Sequence, residues 1–166
     1  MGQVPVKRVL GIDHGERRIG LAWSDPRLIM AHPGKVLQSR SWKEDLAYLK
    51  ALCSDREVGL VVVGLPRNMD GSEGPQAKIV KEFATKLAAG LGLEVVTWDE
   101  RLSSMEADSV LDEQGLRRST RKGRQRRKAA RDAIAASLIL ASFLEARRET
   151  LLAAGWGEGL PGSRAT

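Results

Sequence analysis

The stretch VGLVVVGLP at residues 58–66 limits the fold more than any other part of the chain. It is apolar at successive positions and rich in β-branched side chains, the pattern of a strand buried on both faces. A sheet covered on both faces needs helices on each side of it. Before this run, residues 4–13 read as a strand with apolar Val4, Val6, Val9, Leu10 and Ile12, ending at Asp13. HGER at 14–17 is turn material, with Gly15 free to adopt positive φ. RIGLAWS, 18–24, runs back as a second strand, and GKVLQS, 34–39, makes a short third. Leu46, Leu49 and Leu52 recur at helical spacing, and Ser41 with Glu44 forms a capping box at the start of that helix.

After the central run, Ile79, Val80, Phe83 and Leu87 carry a helix over 75–90. LEVVTW, 93–98, is a further buried strand, followed by Asp99, Glu100 and Arg101. Ser103 and Glu106 form a second capping box, which predicts a short helix over 104–114. A last helix is expected over 129–150, and the Gly-rich tail from 151 to 166 is expected to be disordered. The reading is therefore an α/β protein. One domain over 1–150 holds a mixed five-stranded sheet with helices on both faces.

Charge is distributed unevenly. The formal net charge is +6, from 27 Lys and Arg against 21 Asp and Glu. Nine of the cations fall between 117 and 131, a segment with no acid, so the remaining 18 are outnumbered by the acids. Such a focus of positive charge points to a polyanion at one place, with nucleic acid first. A solvated basic loop and an anionic membrane surface are the alternatives. The segment lacks interleaved large apolar residues, which disfavours the membrane. Gly123 and the absence of apolar periodicity predict that it is mobile until bound. Cys53 is the single cysteine, so no disulfide framework exists and a reducing compartment is expected. The apolar run at 133–144 is too short to span a bilayer, and no secretory signal is visible. A soluble cytoplasmic protein is the expectation.

Three carboxylates stand out. Asp13 ends the first strand and Glu100 follows the fifth, and α/β ligand sites form at the carboxyl ends of strands. Asp132 falls on the stripe formed with Ala135, Ala136, Ile139, Leu140, Phe143 and Leu144, the core face of the last helix. A carboxylate there needs a compensating partner. That partner is either a metal shared with Asp13 and Glu100 or Lys128 one turn earlier. Hard oxygen ligands from three segments suit Mg²⁺ or Mn²⁺. Two such ions about 4 Å apart support phosphodiester hydrolysis. Each acid also has a plainer reading: a turn residue at Asp13, a partner of Arg101 or a helix end at Glu100, and a helix-dipole acid at Asp132. Gly64 can leave room over the strand end for a phosphate or metal, and Gly71 and Gly74 either offer backbone N–H groups to phosphate or belong to an ordinary Gly-containing turn; Asp70 is a weaker fourth acid.

These residues lie in motifs that resemble one family. GIDHGERRIGLAWSD, VVVGLPRNMDGSEGPQA, DERLSS at 99–104 and DAIAASLILASFL at 132–144 occur in order over residues 7–145. Together they resemble the YqgF/RuvX family of Holliday junction resolvase-like nucleases, whose fold is RNase H-like. The resemblance implies a sheet of order 3-2-1-4-5 with strand 2 antiparallel. It also implies that Asp13, Glu100 and Asp132 are catalytic acids and metal ligands. His14 stands where the family commonly has Tyr or Leu, and Ser103-Ser104 where it has a Thr. His14 is read as a turn residue or a substrate contact.

The cations expected to meet nucleic acid are Arg17, Arg18, Arg101, Arg121, Lys122, Arg124, Arg126, Arg127 and Lys128. The implied substrate is either the 5′ end of precursor 16S rRNA or a four-way DNA junction, cut by a monomer or a homodimer. A non-catalytic nucleic-acid-binding or ribosome-assembly factor on the same fold is the alternative. An ATP-binding protein of the actin and sugar-kinase type shares the Asp-x-Gly turn, but needs a second domain that this chain lacks.

Overall fold

A computed structural model describes residues 7–100 and 121–157. Strands β1 (Arg8–His14), β2 (Arg18–Ser24) and β3 (Ala31–Gln38) come first, then helix α1 (Trp42–Asp55) and strand β4 (Val58–Leu65). Helix α2 (Pro75–Leu91), strand β5 (Glu94–Asp99) and helix α3 (Arg121–Ala153) complete the described elements. The sheet order is β3-β2-β1-β4-β5. β2 is antiparallel to β1 and β3, while β4 is parallel to β1 and β5. The order and the strand senses are those that the sequence resemblance implied.

Helices cover both faces because β1 and β4 are apolar at successive positions. Leu10, Ile12, Val61, Val63 and Leu65 pack with Leu49 of α1 and with Val80, Phe83 and Leu87 of α2. Val9, Leu60 and Val62 point the other way, onto Ala136, Ile139, Leu140, Phe143 and Leu144 of α3. Successive strand residues alternate faces, so odd positions of β1 and even positions of β2, β4 and β5 share the α3 side. Gly11 on that side admits Leu140, whose Cβ lies 2.8 Å from where a Cβ on Gly11 would stand.

The helix ends follow local chemistry. Ser41 caps α1, its Oγ accepting from the Glu44 N–H at 3.2 Å, as the capping box predicts. Asp45 in the first turn is buried, and Ser39 Oγ donates to it at 2.6 Å. α2 opens with Pro75 and stops at Gly92, which takes φ +66°.

Several expectations are corrected. β3 begins at Ala31, three residues early, and includes Pro33, which an edge strand tolerates. α3 begins at Arg121, so the basic segment is helical from there on and Gly123 does not interrupt it. Arg, Lys, Gln and Ala are good helix formers, which outweighs one glycine. The tail is not disordered at its start. Leu151 and Leu152 continue α3 onto the core, and Trp156 covers Gly59 with Lys7 over its ring at 5.1 Å. The helix expected over 104–114 and Arg101 lie outside the described residues.

Candidate active site

Strand parity puts Asp13 of β1 on the α3 face, one step beyond Gly11. Asp13 pairs in register with Gly20 of β2. A Cβ on Gly20 would overlap the Asp132 backbone carbonyl, so only glycine lets α3 lie this close to the sheet. The close approach brings Asp132 beside Asp13. Glu100 arrives from the opposite side: its N–H donates to the Leu65 carbonyl at 3.2 Å, extending the β4–β5 ladder by one residue. Its carboxylate lies over Gly64, with Oε2 2.5 Å from where a Cβ would stand. Gly64 was expected to make room for a phosphate or metal, but Glu100 and Ile139 occupy that space.

The acids interact electrically. Burial, then repulsion from Asp132, raises the Asp13 carboxyl to about 6, although Arg131 pulls in the opposite direction. Burial, then repulsion from Asp13 and Asp99, raises Glu100 to about 7. Asp13 is thus coupled to both partners, and a divalent cation placed among them would relieve this repulsion. Oxygen-only donors and mutually repelling carboxylates fit Mg²⁺ or Mn²⁺. The three are not drawn into a closed cage: among the described residues, no three His, Cys, Asp or Glu side chains are gathered tightly enough to hold an ion as they stand. Arg18 Nε donates to Asp132 Oδ2 at 2.7 Å. The partner of Asp132 is therefore Arg18 rather than Lys128. Arg18 shares the α3 face with Gly20 and Ala22 by the two-residue period of β2, a signal the sequence already contained.

His14, next to Asp13, points to the other face. Its ring stacks on Phe83 of α2 at 4.2 Å between centroids, away from the carboxylates. Burial lowers its pKa, partly offset by Asp45. Asp70 is exposed and committed to its own turn, accepting from Ser72 N at 2.9 Å and Ser72 Oγ at 2.6 Å. The Gly71 N–H donates to the Asn68 carbonyl at 2.8 Å and is not free for phosphate.

The basic candidates divide. Arg17, Arg121, Lys122, Arg124, Arg126 and Lys128 are exposed. Arg127 is only 6% exposed, so it is not part of the cationic surface. It lies on a second stripe of α3 with Ala130, Ile134 and Leu138, away from the stripe that covers the sheet. A helix rises 1.5 Å per residue, so the exposed cations lie about 6–17 Å along the axis from Asp132.

Comparison with known proteins places the chain in a family. Curated proteins named "Putative pre-16S rRNA nuclease" are 45% identical in Syntrophomonas wolfei, covering 83% of this chain and 94% of the relative. The corresponding figures are 46%, 84% and 98% for Anaeromyxobacter sp. strain Fw109-5, and 42%, 82% and 94% for Halothermothrix orenii. Among solved structures, T. thermophilus RuvC in complex with Holliday junction substrate aligns at a TM-score of 0.49 with 19% identity, over 87% of this chain and 97% of that one. The family model for RuvX, described as Holliday junction resolvase, matches residues 7–146. Matched over most of its length and close in sequence to these relatives, the chain belongs to the RuvX family.

Proposed function

We propose that this chain is a divalent-cation-dependent endonuclease that hydrolyses phosphodiester bonds in structured nucleic acid, with the 5′ end of precursor 16S rRNA as its substrate. One observation carries the reading. Three carboxylates from β1, the end of β5 and α3 lie on one face of the sheet, with Asp13 near enough to both others to feel their charge, and the helix that brings Asp132 also carries exposed cations. The names of the relatives support the RNA substrate.

Asp13, Glu100 and Asp132 would hold the ions. When bound, two ions would supply Lewis acidity to the attacking water and to the leaving oxygen. The remaining work belongs to the chain. Asp13 and Glu100 would hold the cation in their charged forms, because ligation needs deprotonated carboxylates. The close packing of α3 on Gly11 and Gly20 fixes Asp132 relative to β1. Arg121, Lys122, Arg124, Arg126 and Lys128 would grip phosphates to one side of the scissile bond, with counterion release as the driving force.

The family model's description favours a second substrate, a four-way DNA junction. Incubating the protein with precursor 16S rRNA and with junction DNA, with and without Mg²⁺ or Mn²⁺, separates the two. Cation-dependent cleavage of the RNA, lost in Asp13→Asn, is the expected result. Equal cleavage by Asp13→Asn would overturn the assignment. Cleavage of the junction alone would transfer it to DNA. Intact RNA and DNA, with binding retained, would leave a non-catalytic nucleic-acid-binding factor.

A further inference from the structure

We propose that Arg18 is an exchangeable counter-ion for Asp132: it holds the carboxylate while the site is free of metal and is displaced when a divalent cation binds. The proposal rests on the cation site read above. Asp132 is brought to Asp13 by the helix that Gly20 admits, so its backbone is held against β2. Without Arg18 its carboxylate would stand against Asp13, which already feels its repulsion, with Arg131 acting on Asp13 in the opposite direction. Arg18, two residues before Gly20 on the same face of β2, relieves this through an Nε–H donated to Oδ2 at 2.7 Å.

Two features make the bond exchangeable. The side chains of Arg18 and Asp132 are 34% and 20% exposed, so the guanidinium can move into water without leaving a buried charge behind. The pair is also a single contact through Nε rather than a two-pronged fork, which would hold harder. The Oδ2 lone pair that accepts from Arg18 Nε is not available to a metal ion, and the guanidinium and the ion repel each other across the carboxylate. Binding of the ion therefore competes with Arg18, and the ion pair sets the concentration at which the site fills. This restraint disfavours loose occupation of the site. It also leaves a free guanidinium at the edge of the carboxylates only when the cation is in place.

The test measures cation binding in the full-length protein without nucleic acid. Mn²⁺ titrations, followed by the electron paramagnetic resonance of the free ion, compare the wild type with Arg18→Gln, Arg18→Lys and Arg17→Gln. Circular dichroism confirms that each is folded. Partly exposed ion pairs are weak to moderate, so Arg18→Gln is expected to tighten Mn²⁺ binding about 3–10-fold. Arg17→Gln removes the same charge one residue away, without the ion pair, and is expected to change affinity less than about twofold. Arg18→Lys keeps a charge beside Asp132 and is expected to return affinity to within about twofold of the wild type.

In a Mg²⁺ titration of the wild type, the Arg18 Nε–H resonance is expected to lose its protection from solvent exchange as the site fills. Unchanged or weaker Mn²⁺ binding in Arg18→Gln would overturn the exchange and make Arg18 a support for Asp132, with the cation site intact. Equal tightening in Arg17→Gln would reduce the effect to general charge and overturn it too. Failure of both the wild type and Arg18→Gln to bind Mn²⁺ would remove the cation site itself, and the proposal with it.

Discussion

Asp13 and Glu100 are the most informative single residues, because the fold keeps both under electrostatic stress. Their raised pKa values mean that the folded protein holds protons which the unfolded chain releases near pH 3.8 and 4.5. Each carboxyl therefore favours the folded state below that pH, and the contribution is lost as pH rises through about 6 for Asp13 and about 7 for Glu100. Asp13→Asn is expected to stabilise the metal-free protein at pH 7.5 by about 1–3 kcal/mol while abolishing cleavage. Urea denaturation in a chelating buffer measures the first effect and a nuclease assay the second. Gly20 is the opposite kind of residue: chemically silent but geometrically required. Gly20→Ala would push its methyl into the Asp132 carbonyl, at an expected cost of about 1–3 kcal/mol in the same denaturation experiment. It should also lower cleavage by displacing Asp132.

Helix α3 shows both the reach and the limit of reading a chain by pattern. Its core stripe was legible from Ala136, Ile139, Leu140, Phe143 and Leu144, and so was the inward placing of Asp132. Its first two turns were not. A run of Arg and Lys broken by Gly123 has no apolar period, and its helicity comes from propensity and from continuity with the packed half. Arg127 looked like one more cation until the second stripe with Ala130, Ile134 and Leu138 placed it inside. The two kinds of arginine should respond differently to mutation. Replacing exposed Arg124 or Lys128 by Ala should weaken nucleic-acid binding and reduce the slope of log affinity against log salt by about 1 each. Arg127→Ala should lower thermal stability instead, with little change in that slope. Fluorescence anisotropy across a salt series, paired with thermal melts, separates the two outcomes.

At the scale of the whole molecule, the sheet was legible because its central strands are apolar on both faces and its first two strands are joined by a short polar turn. The convergence of the site was legible only as position along the chain, from strand ends and a helix stripe. The ion pair joins Arg18 and Asp132, 114 residues apart, and its one sequence signal was the two-residue period that puts Arg18 on the α3 face of β2. Cation binding should stabilise the entire fold, since only the folded chain assembles the three acids. The rise in melting temperature with Mg²⁺ is expected to be larger at pH 8 than at pH 5.5, where Asp13 and Glu100 are protonated. Scanning calorimetry at the two pH values checks this, and an equal rise at both would argue against ligation by these carboxyls. The most direct test is anomalous diffraction from crystals soaked in millimolar Mn²⁺. The account predicts an anomalous peak bounded by Asp13, Glu100 and Asp132, with Arg18 turned away from Asp132. A map with no peak there, and the Arg18–Asp132 pair intact, would contradict it.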